Sequence, residues 1–205
     1  MTDKSYFFEL YREKFKPHIL TQPQVDNLCN LIDVFDSNKY ITDYRQFAYL
    51  LATTFHECGA TWKPIAEYGK GRGRSYGRPD SQTGQTYYGR GYVQLTWKAN
   101  YYTMSKVTGL DLVNQPYKAL IPSVATKIIF YGMEHGSFTG RKLSHYINDK
   151  KCDYKEARRI INGTDKASLI AKYARKFEQC IREIPQAIAI DGTNNEVDPE
   201  PKKAT

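Results

Sequence analysis

From Thr42 to Gly59 the sequence holds one unbroken helical pattern, and behind it the helical period disappears all the way from Thr61 to Tyr92. Phe47, Leu50, Leu51, Thr54, Phe55 and Cys58 recur at spacings of three and four, the signature of a helix with one buried face. Thr42 reads as its N-cap, Asp43 suits the positive end of the helix dipole, and Gly59 supplies a left-handed stop. The segment that follows is rich in glycine and arginine and has neither helical nor strand periodicity, apart from a short hairpin expected around Thr86 to Gln94. A loop of this length inside a compact domain usually carries function.

Helices flank this pair on both sides. Ser5 to Phe15 is helical and stops at Pro17, and a second helix opens near Thr21 with Pro23 in its first turn. After the loop, Trp97 to Thr108 ends on Gly109, and Ser123 caps a helix through Val124, Ile128 and Tyr131. Asp153 and Glu156 form a capping-box pair before Ala157, Ile160 and Ile161, and Asn162-Gly163 closes that helix. Ala167, Ile170, Ala174, Phe177 and Ile181 mark the last one. The fold class is therefore mainly α. One catalytic domain over 1–185 is expected, with N-terminal helices in 1–40 and a cleft-forming core in 41–185, followed by a disordered polar tail over 186–205.

The 205 residues carry a net charge of +8, while the tail holds four acids against two lysines, so the folded part is more basic than the whole. That favours an anionic partner. No apolar run approaches the roughly 18 residues of a membrane-spanning helix, and the N-terminus has no secretory-signal pattern. Cys29, Cys58, Cys152 and Cys180 lie far apart without Cys-x-x-Cys spacing, which argues against a zinc site and reads as buried thiols.

Two carboxylates carry the chemistry. Glu57 lies about 90° from the centre of its helix's apolar stripe, counting by the helical period, and in the last turn. Partial burial and the negative end of the dipole both disfavour its charged form, which suits a general acid. Glu67 follows within the loop. It and Asp80 are the only acids between Cys58 and Leu110, among Lys63, Lys70, Arg72, Arg74, Arg78, Arg90 and Lys98, so it should stay ionised. Two carboxyls driven toward opposite protonation states form the acid and base pair of a glycosidase. Charge alone leaves Glu67 equally readable as a surface salt-bridge partner, with Asp80 as the next choice of base. His56-Glu57 is no zinc-protease motif, because Ala60 stands where the second His must lie. Gly69 to Gly73 fails the phosphate-loop patterns, since Arg74 and Tyr76 occupy positions those require as glycine. Trp62, Tyr68, Tyr76, Tyr87, Tyr88, Tyr92, Trp97, Tyr101 and Tyr102 enrich the same region in rings, which suit both core packing and stacking on sugars or bases.

Phe55-His56-Glu57-Cys58-Gly59, Pro64-Ile65-Ala66-Glu67-Tyr68-Gly69, Tyr88-Gly89-Arg90-Gly91-Tyr92-Val93-Gln94-Leu95-Thr96-Trp97, Asn100-Tyr101 and Ile161-Asn162-Gly163 stand in order along the chain. Together they resemble glycoside hydrolase family 19, the chitinase-like group, and most of all its bacteriophage endolysin branch. The resemblance covers roughly Thr42 to Ile181. It implies a lysozyme-like two-lobed fold, its cleft lined by the loop-rich segment. It also implies inverting hydrolysis of β-1,4 bonds in N-acetylated glycans, with no cofactor and no metal. Glu57 then matches the general acid and Glu67 the general base. Gln94, Thr96 and Asn100 match polar residues that hold the attacking water or contact sugar, Asn162 matches a sugar-binding asparagine, and Tyr88 is a cleft residue. The chain departs from plant chitinases at Ala99, where they carry tyrosine, and in lacking their paired cysteines and secretory signal.

These features together point to a peptidoglycan-cleaving endolysin of the lysozyme type, with a chitinase or a noncatalytic wall-binding module as alternatives. Such a protein is expected to act as a monomer, to bind neither nucleic acid nor membrane stably, and to wait in the host cytoplasm until a separate membrane protein releases it to the wall.

Overall fold

The computed structural model describes residues 1–181, so the expected tail and the end of the expected domain at 185 lie outside the described residues. Six helices run in order: α1 Lys4–Lys14, α2 Gln22–Ser37, α3 Tyr44–Glu57, α4 Lys98–Thr108, α5 Pro122–His135 and α6 Ala167–Ile181. Two short antiparallel pairs accompany them, β1 Ile65–Ala66 with β2 Arg90–Gly91, and β3 Ile147–Asn148 with β4 Lys151–Cys152. The mainly helical class holds.

The amphipathic reading of α3 understates it. Every residue from Phe47 to Phe55 is buried, on all faces of the helix, which is the state of a helix enclosed by its neighbours. Its main partner is α6, which brings Phe177 to Phe55. Around them Tyr11, Phe15, Trp62 and Tyr173 complete an aromatic cluster. The indole of Trp62 is fully buried and its Nε1 donates to the Tyr11 hydroxyl at 3.1 Å. The Trp62 carbonyl in turn accepts from Asn27 Nδ2 at 2.9 Å and from the Tyr92 hydroxyl at 3.2 Å. Trp62 therefore pins the short segment that leads from Glu57 to Glu67.

Local signals were displaced by one or two residues at several ends. Asp43, not Thr42, caps α3, its carboxylate accepting from the Arg45 amide at 2.8 Å. Gly59 does take the left-handed conformation, with φ +58°. Ser123 lies inside the first turn of α5, because Pro122 occupies the first helical position and Ile121 caps it. The segment Glu156–Ile160 closes as a 3-10 helix, with the Asp153 carboxylate accepting from the Glu156 amide at 3.0 Å. The hairpin expected within Thr86 to Gln94 is rearranged: Arg90 bridges Leu95, yet the ladder itself runs to the distant β1. Of the cysteines, Cys58 and Cys180 are buried and Cys29 is half-buried, but Cys152 is exposed. No helix among the described residues is long and apolar enough to cross a membrane.

Candidate active site

Glu67 follows β1 directly, and the β1–β2 pairing places it opposite Gly89. Its amide donates to the Gly89 carbonyl at 2.7 Å, while the Gly89 amide donates to Glu67 Oε2 at 3.0 Å. The Tyr76 hydroxyl donates to Oε1 at 3.0 Å. Burial and this hydrogen bond hold the Tyr76 phenol above its ordinary pKa, so it remains a donor at neutral pH. Both oxygens of Glu67 are thus met by neutral donors, and none of the ion pairs among the described residues includes it. The salt-bridge reading of Glu67 is overturned.

Asp80 is otherwise engaged. Its Oδ1 accepts from Lys98 Nζ at 2.9 Å and from the amides of Gln82 and Thr83, so it shapes the turn at 80–84 and anchors it to α4. The Lys98 ammonium, with those turn donors, pulls its pKa down to about 2.

Beside Glu67 the strand turns sharply. Gln94 sits at φ +53° and its Nε2 donates to the Ile65 carbonyl at 3.1 Å. A Cβ at position 89 would lie 2.7 Å from Gln94 Oε1, so only glycine allows this approach. Thr96 Oγ1 donates to the Gln94 carbonyl at 2.7 Å, and Asn100 Nδ2 donates to the Thr96 carbonyl at 2.8 Å. These internal bonds use the Thr96 hydroxyl proton and one N–H of Asn100, and leave the other Asn100 N–H and the side-chain oxygens for water or sugar hydroxyls. The structure therefore links Gln94, Thr96 and Asn100 in one chain of hydrogen bonds that meets β1 at Ile65, two residues before Glu67. Trp97, at φ +74° and half exposed, packs edge-on against Tyr76 with ring centroids 5.2 Å apart.

Tyr88 is only half-buried, but one face of its ring is covered by the Arg90 guanidinium, whose carbon stands 3.5 Å from the ring centroid. Of the remaining rings, Trp62, Tyr87, Tyr92 and Tyr101 belong to the core, whereas Tyr68 and Tyr102 are exposed.

Glu57 belongs to a second cluster. It ends α3 with its side chain 17% exposed, and Arg158 Nη1 donates to its Oε1 at 2.6 Å. Arg158 is itself buried, and its Nε donates to the Asp165 carbonyl at 3.0 Å. The Glu57 carboxyl is thus held against a buried guanidinium, a partner that the sequence pattern does not show. Burial lowers the pKa of the adjoining His56 imidazole. The Asn162 amide donates to the Arg158 carbonyl at 3.0 Å, so this asparagine sits one turn from the ion pair. Asn162 is exposed and lines a shallow hollow of about 340 Å³ with Thr139, Arg141 and Arg159. A larger hollow of about 700 Å³ opens between Phe8, Pro17, Ile19 and Val25 and contains none of the site residues.

Arg158 and Arg90 escaped the sequence reading. Arg158 stands beside Arg159 in an apolar period, and nothing local marks which of the two turns inward. Arg90 lay in plain view within Tyr88-Gly89-Arg90-Gly91 but reads as one more surface cation.

Among the described residues, five helices around a buried central one, with a carboxylate held beside a short antiparallel pair of strands, define the lysozyme-like class of folds found in chitinases. The structure is similar to chitinase C from Streptomyces griseus, with a TM-score of 0.56, 24% identity and coverage of 88% of this chain and 92% of that one. It is also similar to a class IV chitinase from Zea mays, with a TM-score of 0.57, 20% identity and coverage of 89% and 94%. The family model described as chitinase class I, glycoside hydrolase family 19, matches residues 36–139, and the chain belongs to that family. An Arabidopsis thaliana endochitinase is 37% identical over 83 residues, which span 40% of this chain and 29% of the relative. A basic endochitinase of Vitis vinifera is 35% identical over 89 residues, or 37% and 28% of the two chains. The chain thus spans under a third of the length of these curated relatives.

Proposed function

We propose that this chain is a peptidoglycan-degrading hydrolase of the muramidase type, an endolysin that opens β-1,4 glycosidic bonds of the bacterial wall during host lysis. Glu57 donates a proton to the leaving glycosidic oxygen, and Glu67 removes a proton from the water that attacks the opposite face of the sugar. The product then has inverted configuration, and the two carboxyls must stand roughly 6.5–9.5 Å apart to admit that water. Arg158 fixes Glu57 Oε1 and leaves Oε2 to meet the glycosidic oxygen. Gln94, Thr96 and Asn100 hold water and sugar hydroxyls beside Glu67. Asn162 and Tyr88 contact the glycan farther along.

The observation that carries the choice of substrate is the charge of the loop behind Glu67. Lys63, Lys70, Arg72, Arg74 and Arg78 are exposed, and none of them belongs to an ion pair among the described residues. Chitin is neutral and gains nothing from this, whereas wall peptidoglycan carries lactyl-peptide carboxylates that a basic rim attracts. The endochitinase relatives favour a second reading, hydrolysis of N-acetylglucosamine polymers. In the endolysin reading the protein works as a monomer, in a single domain, and is held in the host cytoplasm until a membrane protein releases it.

Mass analysis of purified peptidoglycan after digestion separates these readings. New reducing ends at N-acetylmuramic acid support the muramidase, and cleavage of chitin oligomers alone supports the chitinase. Tight binding with unchanged polymer makes the chain a noncatalytic wall-binding module.

A further inference from the structure

Arg90 is a charged side chain in the protein's interior, only 4% exposed, and it belongs to none of the ion pairs among the described residues. A buried cation without an anion is unfavourable unless its surroundings compensate it. Here the compensation is concentrated on one stretch of chain. Nη1 donates to the Thr86 carbonyl at 3.0 Å, the Tyr88 carbonyl at 3.2 Å and the Tyr101 hydroxyl at 2.9 Å. The guanidinium also covers the Tyr88 ring, while its buried Nε has no partner. The Tyr101 hydroxyl passes the contact on, donating to the same Tyr88 carbonyl at 2.8 Å. Burial pushes the Tyr101 phenol up to about 12, which keeps it a donor at working pH.

The Tyr88 carbonyl and the Gly89 amide are two ends of one peptide unit. That unit is rigid and trans, so its C=O and N–H point in opposite directions. Arg90 and Tyr101 grip the carbonyl end, and the amide end donates to Glu67 Oε2 at 3.0 Å. We infer that Arg90 is a positioning residue for the reaction: by clamping the Tyr88–Gly89 peptide plane from behind, it aims the Gly89 amide and thereby fixes the Glu67 carboxylate. A stacked guanidinium fork suits this task, because it binds a carbonyl and a ring face at once, which a lysine ammonium does with less geometric control. The Gly89 backbone would otherwise have unusual freedom to rotate away.

The inference rests on Glu67 being the general base, and the test separates the two. Arg90→Met, Arg90→Lys, Tyr101→Phe and Glu67→Gln are compared for kcat and KM on the glycan cleaved by the wild type. Thermal melting and the Gly89 amide resonance are measured alongside. Arg90→Met should lower kcat by about 10- to 100-fold with KM little changed, as expected when a reacting group is misplaced rather than removed. Arg90→Lys should restore part of that loss, and the Gly89 resonance should move upfield as its hydrogen bond weakens. Tyr101→Phe removes only one of the two donors to the Tyr88 carbonyl, so it supplies a milder variant should Arg90→Met fail to fold. Its kcat should fall several-fold, again with KM retained. Folded Arg90→Met or Tyr101→Phe protein with wild-type kcat and an unmoved Gly89 resonance overturns the positioning role. So does a loss confined to KM. Wild-type turnover by Glu67→Gln overturns instead the assignment of the base.

Discussion

Arg158 and Glu57 lie 101 positions apart in the chain, and the guanidinium donates to the carboxyl at 2.6 Å. The ion pair joins the end of the central helix α3 to the short 3-10 helix at Glu156–Ile160. It gives the proposed general acid a fixed orientation and a nearby positive charge, and it makes Glu57 a structural residue as well.

Glu57→Gln should therefore do two things. Removing the transferable proton should lower kcat by at least about 100-fold, within the range that a general acid contributes. It also leaves the buried Arg158 facing a neutral amide, with a stability loss of about 1–3 kcal/mol. Denaturant titration and glycan hydrolysis measure the two effects separately. Turnover within about tenfold of wild type would falsify the general-acid role.

Glu67→Gln should differ in its signature. A glutamine can offer its carbonyl to the Gly89 amide and its NH2 to the Tyr76 oxygen, because the phenol can exchange donor for acceptor. Stability should stay within about 0.5 kcal/mol of wild type while activity is lost. Tyr76→Phe should keep the fold and lower kcat several-fold, since it deletes one of the two donors that hold the carboxylate. A Tyr76→Phe enzyme with unchanged kcat shows that this hydroxyl does not matter to the base.

Gly89→Ala tests the close approach beneath the carboxylate. The new methyl would lie 2.7 Å from Gln94 Oε1 and 3.1 Å from Gln94 Cβ, so Gln94 must shift. Overpacking of this kind costs about 1–3 kcal/mol, and the shift should break the Gln94 bond to the Ile65 carbonyl. Thermal melting together with a crystal structure of the variant reads both. An unchanged Gln94 and an unchanged melting temperature would show that the loop has more room than its geometry indicates.

Asp80 should give the loop a specific acid sensitivity. Its pKa is depressed to about 2 by Lys98 and the turn amides, below the roughly 3.9 of an unstructured aspartate. The folded loop thus favours the ionised form, and that contribution is complete above pH of about 4 and disappears as the pH falls toward about 2. Protection of the Gln82 and Thr83 amides, taken relative to the free-peptide exchange rate at each pH, should fall across that window in the wild type. In Asp80→Asn that protection should be low and should not change across the window.

The helices were legible because their signals are local. The three- and four-residue spacing in α3 and α6, Gly59 after α3 and Gly109 after α4, and Pro23 and Pro122 in the first turns of α2 and α5 act through neighbours within a few residues. The boundary errors have the same origin: Thr42 and Asp43 both make good caps, and only the backbone conformation selects Asp43. Glu57 and Glu67 stand out in the sequence as candidates, one from its place at the border of a helical stripe and the other as a rare acid in a basic loop. The partners of each do not.

What the sequence alone determined is the helical class and the long irregular segment, and it singled out two carboxyl groups as candidates for the chemistry. Tertiary structure decided what each carboxyl touches. It brought Arg158 to Glu57, paired β1 with β2 instead of closing a local hairpin, turned Arg90 inward while its neighbouring loop cations face solvent, and selected which four of the nine rings enter the core. Helix formation is governed by contacts a turn apart, which a periodic pattern records. The pairing of distant segments is chosen by burial and hydrogen-bond satisfaction over the whole domain, and no short stretch of residues carries that information.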